Sequence, residues 1–90
     1  MSQAIVDPAE LRRFAHNLKV FNSELQNRLS TLHGQLVALG QSWRDHEHQK
    51  FREEFDQTLA VVGRFVEASE GHIPYLLRKA ERVEEYLQQR

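Results

Sequence analysis

Five histidines are the side chains of this sequence that could hold a metal ion. His46 and His48 are only two residues apart, so on a helix they point to different faces. Helical zinc sites use a spacing of four, and the chain has no cysteine to add a thiolate ligand. His16, His33 and His72 are isolated in the sequence. We therefore predict no metal site and expect the histidines to face solvent.

Carboxylates are the other groups that could do chemistry, as general acids or bases. They lie in two charged segments: Glu53, Glu54 and Asp56, and then Glu81, Glu84 and Glu85. No serine stands in a nucleophile elbow, and no glycine-rich loop could bind a phosphate. We predict no catalytic residue, no cofactor and no enzyme activity.

Trp43 is the only tryptophan, and it lies in a short segment between two stretches of periodic apolar residues. A large aromatic ring in such a turn needs a pocket. Phe51 and Phe55 follow, four residues apart and therefore on one helix face. Two interpretations stay open: an aromatic cluster that closes the turn end of the fold, or a docking surface for a partner.

The first helical segment precedes this cluster. Asp7 suits the N-cap and Pro8 the first helical position. Apolar residues then recur at alternating steps of three and four: Leu11, Phe14, Leu18, Phe21, Leu25, Leu29, Leu32, Leu36 and Leu39. Gly40 can end the helix in a left-handed conformation. The pattern predicts a helix over about 7–39 and a turn over about 40–45.

The second helical segment is predicted over about 46–88, with Ser42 or Asp45 as its N-cap. Its apolar stripe runs from Phe51 to Leu87 and includes Leu59, Val62 and Val66. Gly71 and Pro74 conflict with a regular helix. The alternatives are one collinear helix, kinked or interrupted near 71–74, and a break followed by a short third helix. The stripe keeps its phase across the proline, which favours the first.

The composition limits the partners and the location. With 12 basic and 13 acidic residues the net charge is −1, which gives no general basic field for nucleic acid or an anionic membrane. No apolar run approaches the ~20 residues of a membrane span. The first residues lack the basic and apolar segments of a cleaved signal peptide. We expect a cytoplasmic protein, or one exported without a cleaved signal, that neither inserts into membranes nor binds nucleic acid.

The apolar residues exceed what a pair of helices can bury. Val20, Val37, Val61, Phe65 and Leu77 flank the main stripes. A narrow antiparallel two-helix hairpin would leave much of this surface in water. We predict an all-α hairpin, one domain over 1–90, that dimerises with itself or a related hairpin into a four-helix bundle. The core or dimer contacts are assigned to Leu11, Phe14, Leu18, Phe21, Leu25, Leu32, Leu59, Val62 and Val66.

The chain length, the two long helices and the tryptophan in the central turn resemble the WXG family of ESAT-like proteins of type VII secretion. The family's Trp-X-Gly triplet corresponds to Trp43-Arg44-Asp45, in which Asp45 replaces the glycine. An aspartate can still cap the second helix. Phe51 and Phe55 follow at suitable spacing. The resemblance makes Trp43, Asp45, Phe51 and Phe55 the expected turn motif and interaction site.

The resemblance also implies a function. Members form homo- or heterodimeric four-helix bundles and act as exported factors or as adaptors of secreted proteins, with a secretion ATPase or a toxin as further partner. Exported members carry a tyrosine followed four residues later by an acid. Here Tyr75 precedes Lys79 and Tyr86 precedes Arg90, so the resemblance does not extend to this signal. The alternative is a structural coiled-coil scaffold or assembly module with no export role.

Overall fold

A computed structural model describes residues 6–89. Residues 1–5 and Arg90, on which the expectations about signals partly depend, lie outside this range. The described chain consists of α1 (Pro8–Leu39), α2 (His46–Gln88) and the turn over 40–45, with no strand between residues 6 and 89. Its extents are 68 × 18 × 15 Å.

The two helices are antiparallel. Arg12 contacts Glu84 near the open end, and His33 contacts Asp56 nearer the turn, so positions along α2 fall as those along α1 rise. The predicted two-helix hairpin is therefore confirmed, whereas its assembly into a four-helix bundle stays a prediction. Neither helix contains a segment apolar enough to cross a lipid bilayer.

Both helices begin at an aspartate, because a carboxylate accepts hydrogen bonds from amides that the first turn leaves unpaired. Ala9 N donates to Asp7 Oδ1 at 2.9 Å, and His48 N donates to Asp45 Oδ1 at 3.2 Å. Of the two N-caps that the sequence left open for α2, the structure has Asp45 rather than Ser42.

Gly40 ends α1, but the prediction of a left-handed conformation was wrong. Its φ and ψ are −61° and −16°, which any residue can adopt. The chain instead tightens, with Gly40 N donating to Val37 O at 3.1 Å. The glycine matters because a Cβ at this position would lie 3.1 Å from His48 Cε1. Close approach of a side chain from α2, not backbone freedom, explains the residue.

The seam between the helices uses smaller residues than the apolar pattern alone indicates. Ala15, Leu36, Val66 and Ala80 are its buried apolar residues. Around them lie partly buried members of the predicted stripes: Leu11, Leu18, Leu25, Leu59 and Val62. Alanines at the contact let two helices approach closely.

Three of the residues assigned to core or dimer contacts lie outside this seam. Phe14 is 59% exposed, and Phe21 and Leu32 are about half exposed. Since the sequence assigned the stripe to core or dimer contacts together, these three are available only for the second role. That role remains a prediction.

α2 remains helical at every residue through Gly71 and Pro74, and residues 6–89 contain no third helix. Pro74 cannot donate to the carbonyl of Glu70. Both residues are exposed, so water can hydrate that carbonyl.

Asn22 is a polar side chain in the middle of the seam, and it is 1% exposed. Its Nδ2 donates to Ser69 Oγ at 2.9 Å and to Glu70 Oε2 at 2.8 Å. Its Oδ1 has no hydrogen-bond partner. A buried acceptor without a partner costs free energy in the folded state.

Candidate interaction site

The turn brings the predicted aromatic residues together. The ring centroids of Trp43 and Phe51 are 6.3 Å apart, and those of Phe51 and Phe55 are 6.1 Å apart in a stacked arrangement. Trp43 and Phe55 are half-buried, whereas Phe51 is 47% exposed. The cluster therefore closes the turn and presents an apolar surface to solvent as well. Its role stays a prediction.

His48 is a fourth aromatic member, and the expectation that it faces solvent was wrong. It is 7% exposed, and its ring meets Trp43 edge-on with centroids 4.9 Å apart. His48 Nε2 lies 3.2 Å from the carbonyl oxygen of Leu36. In a continuing helix Gly40 N would donate to this carbonyl, but here it donates to Val37 O. The Leu36 carbonyl therefore needs another donor. The imidazole, with its proton on Nε2, therefore caps the end of α1 from α2.

A signal for this burial is present in the sequence. Counting back from Leu59 in steps of four and three reaches Phe55, Arg52 and His48. The stripe that contacts α1 thus begins at His48, three residues before Phe51. The apolar pattern concealed this, because its members Arg52 and His48 are polar.

Asp45 joins the cluster to the backbone of α2. Besides its side-chain bond to His48 N, its carbonyl oxygen accepts from the same amide at 3.2 Å. Arg44 Nε donates to Gln41 O at 2.9 Å across the turn. These contacts position Trp43 from both sides, so the ring is presented on an ordered turn.

The remaining titratable groups do not build a second site. His33 Nε2 lies 3.4 Å from Asp56 Oδ1, and both side chains are substantially exposed. In the part of the chain that the structure describes, no three histidine, aspartate or glutamate side chains converge.

Arg12 and Glu84 form an ion pair at the open end. Arg12 Nη2 and Nε donate to the two oxygens of Glu84 at 2.7 and 3.1 Å. This hydrogen bonding, followed by the positive charge, holds the pKa of Glu84 below its ordinary value, and the pKa of Arg12 is raised for the same reasons. The pair joins the second turn of α1 to the C-terminal part of α2.

A second apolar surface runs along the hairpin away from the turn. An open groove of about 390 Å³ lies between the helices, lined by Phe14 and Leu18 of α1 and by Phe65, Ala68, Tyr75 and Leu76 of α2, among others. Its small residues lie between large exposed ones, which is a shape that accepts a side chain from another helix.

Comparisons with known proteins agree with this architecture. The family model described as "Proteins of 100 residues with WXG" (WXG100) matches residues 3–86. A selenomethionine-labelled structure of the secreted protein EsxB from Bacillus anthracis str. Sterne is 29% identical, with a TM-score of 0.79, covering 96% of this chain and 98% of that one.

Two further EsxB structures from the same organism are equally similar. The wild-type form is 30% identical, with a TM-score of 0.79 and coverage of 93% and 97%. A point-mutant form is 28% identical, with a TM-score of 0.80 and coverage of 96% of both chains. No significant match to a curated protein was found.

Proposed function

The chain belongs to the WXG100 family of small proteins associated with type VII secretion, and on that premise we propose that it acts as an exported factor or as the adaptor of an exported partner. It has no enzymatic role in this proposal. The observation that carries it is Trp43, half-buried at an ordered turn of a hairpin that matches a secreted protein over nearly its whole length. Export proceeds without a cleaved signal peptide.

Pairing with a second hairpin is part of the proposal. Phe14, Phe21, Leu32 and Phe65 are each about half exposed on a molecule only 15–18 Å thick. Burying the exposed half of one such side chain stabilises a complex by about 1 kcal/mol. A homodimer or a heterodimer with a related hairpin covers this surface and forms a four-helix bundle.

The turn end supplies the second contact of the proposal. Trp43, Phe51 and Phe55 form a compact aromatic surface, and Asp45 fixes the start of the helix that carries the last two. A secretion ATPase or a toxin partner would dock here by apolar contact. Aromatic residues often dominate such interfaces because they bury much area with few rotatable bonds.

Replacing Trp43 by alanine tests this role. We expect the oligomeric state to be retained, while capture of partners in pull-downs from the native host falls severalfold. Val20→Ala, which removes an exposed apolar side chain from α1, is the matched control. Unchanged capture by the Trp43→Ala protein would show that the tryptophan only closes the turn.

Export is tested separately, by following the tagged protein in culture supernatant and cytoplasm of the native host. The proposal requires it, or its partner, to appear outside the cell and to disappear from there when the secretion ATPase is deleted. Tyr75 followed by Lys79 favours a second candidate, an assembly module that stays inside. Retention of both proteins in the cell would support that candidate.

A further inference from the structure

His72 lies in the apolar groove between the helices. The groove has a volume of about 390 Å³, and its lining consists of Phe14, Leu18, Phe65, Ala68, Ser69, His72, Tyr75 and Leu76. His72 follows Phe65 by two helical turns on the same side of α2, and both are exposed. A side chain that can change its charge near neutral pH is therefore placed within a mostly apolar surface.

The surface around His72 favours the neutral form of its ring once it is covered. Phe14 and Leu18 line the groove from α1. The charged residues that flank this surface are cations: Arg13 and Lys19 next to the lining residues of α1, and Lys79 two turns beyond His72 on α2. A positive charge on the imidazole would therefore meet apolar groups and like charges.

The nearby acids do not compensate such a charge. Glu70 is two residues before His72, but its Oε2 accepts from Asn22 at the seam. Glu10 and Glu24 are the acids within α1, and each is at least one turn outside the stretch that lines the groove. Neither ion pair of residues 6–89 includes His72.

A neutral imidazole, in contrast, fits this groove. Ser69 and Tyr75 are three residues before and after His72, so they are its neighbours on the helix surface. Their hydroxyls can donate to the unprotonated ring nitrogen. A helix packed over the groove can therefore bury the neutral ring, whereas burying the charged ring without a counter-ion costs far more free energy.

We propose that His72 makes the pairing of the hairpin sensitive to pH, so that the pair is held near neutral pH and weakened in mildly acidic surroundings. The inference rests on the proposed pairing, because a second hairpin that covers Phe14 and Phe65 also covers the groove that they line. It assigns to that hairpin an apolar helix face opposite His72. Protons then bind the free hairpin and not the pair, so lowering the pH favours separation.

The size of the effect follows from the titration of an ordinary histidine. Its charge changes at about pH 6.5, and a proton excluded from the pair raises the Kd about tenfold between about pH 7.5 and about pH 5.5 for each covered histidine.

Measuring the Kd at these two pH values tests the inference. The tagged chain is expressed in the native host with an untagged copy, and the hairpin that it binds, copy or relative, is recovered with it. Sedimentation equilibrium gives the Kd of this pair, and circular dichroism checks that the helices stay folded at both pH values. We expect the Kd to rise about tenfold or more at the lower pH.

His72→Gln separates the histidine from other acid effects. Glutamine remains polar but does not titrate, so pairing should be nearly as tight as in the wild type at about pH 7.5 and should lose most of the pH dependence. The matched control is His16→Gln, which removes an exposed histidine of α1 outside the groove lining and should keep the full pH dependence.

An unchanged Kd of the wild-type pair, or a pH dependence that survives His72→Gln, overturns the inference. Tighter pairing at the lower pH also overturns it, because the partner would then place a carboxylate on His72. If His72→Gln abolishes pairing, His72→Leu decides: pairing without pH dependence supports the inference, and no pairing contradicts it. Recovery of no hairpin with the wild-type chain contradicts the proposed pairing as well, whereas the other outcomes leave that pairing intact.

Discussion

Trp43 is positioned by a histidine as much as by the phenylalanines that follow it. The His48 ring packs edge-on with Trp43, and it fills the space that a side chain at residue 40 would need. Its Nε2 donates to the carbonyl of Leu36 near the end of α1. One imidazole therefore links the end of one helix, the start of the next and the aromatic surface between them. Asp45 orients the segment that carries it.

Replacing His48 separates these contributions. His48→Leu keeps the volume but leaves the Leu36 carbonyl without a donor, and we expect a loss of about 1–3 kcal/mol in the free energy of unfolding. His48→Gln retains an N–H at a similar distance from the backbone and should lose less. Urea denaturation measures both, and the emission of Trp43, the only tryptophan, reports its surroundings. Equal stability of the two variants, with unchanged emission, would contradict the role given to the imidazole.

Glycines in the helices give a contrast between open and crowded positions. A Cβ at Gly63, within α2, meets no atom within 4 Å. Gly63→Ala should raise the free energy of unfolding by about 0.5–1 kcal/mol, because alanine loses less backbone entropy in a helix. Gly40→Ala should gain less than this or lose stability, since the new Cβ would press on His48. Thermal unfolding compares the two variants, and a larger gain at residue 40 would contradict the close contact.

The packing of α1 on α2 depends on a polar group that is only partly satisfied. Asn22→Ala leaves Ser69 without its bond, and it should cost about 1–3 kcal/mol. Asn22→Leu combined with Ser69→Ala removes both groups and should be as stable as the wild type or more so. Chemical denaturation of the three proteins tests this. Strong destabilisation of the double variant would mean that the polar contact is needed for packing.

The open end of the hairpin is held by the Arg12–Glu84 pair, and its contribution should depend on pH. The folded-state pKa of Glu84 lies below its ordinary value, so the pair stabilises the fold above the ordinary range of a glutamate. That contribution is lost as the pH falls through the lowered pKa. Glu84→Gln should therefore lower the melting temperature slightly at pH 7 and not at pH 3, whereas Glu85→Gln serves as the exposed control. The same difference at both pH values would contradict the assignment.

The whole hairpin is long and thin, and this shape supports the pairing proposed above. Two helices bury one strip each, and the described molecule leaves Phe14, Phe21 and Phe65 about half exposed. A second hairpin covers them in the pairing proposed above.

Most of the architecture could be predicted from local features of the sequence. Asp7 begins α1 as its cap, and the alternation of apolar residues predicts both helices. Caps and periodicity act between residues up to four positions apart, so they are legible without the fold. The position of Trp43 in the turn could also be predicted, because the apolar periodicity of both helices is interrupted there.

Which stripe of each helix faces the other helix could not be predicted from these local features. Phe14 and Phe21 have the larger apolar side chains, yet Ala15 and Asn22, one position later, are buried. His48 is buried as well, although the sequence pattern predicts an exposed histidine. Whether each of these residues is buried depends on the side chains that the other helix places opposite it. Burial is therefore a property of the interface between the two helices and not of either segment alone. Local sequence patterns therefore specify where the helices begin, end and turn, whereas the side of each helix that forms the core depends on the contacts between the two helices.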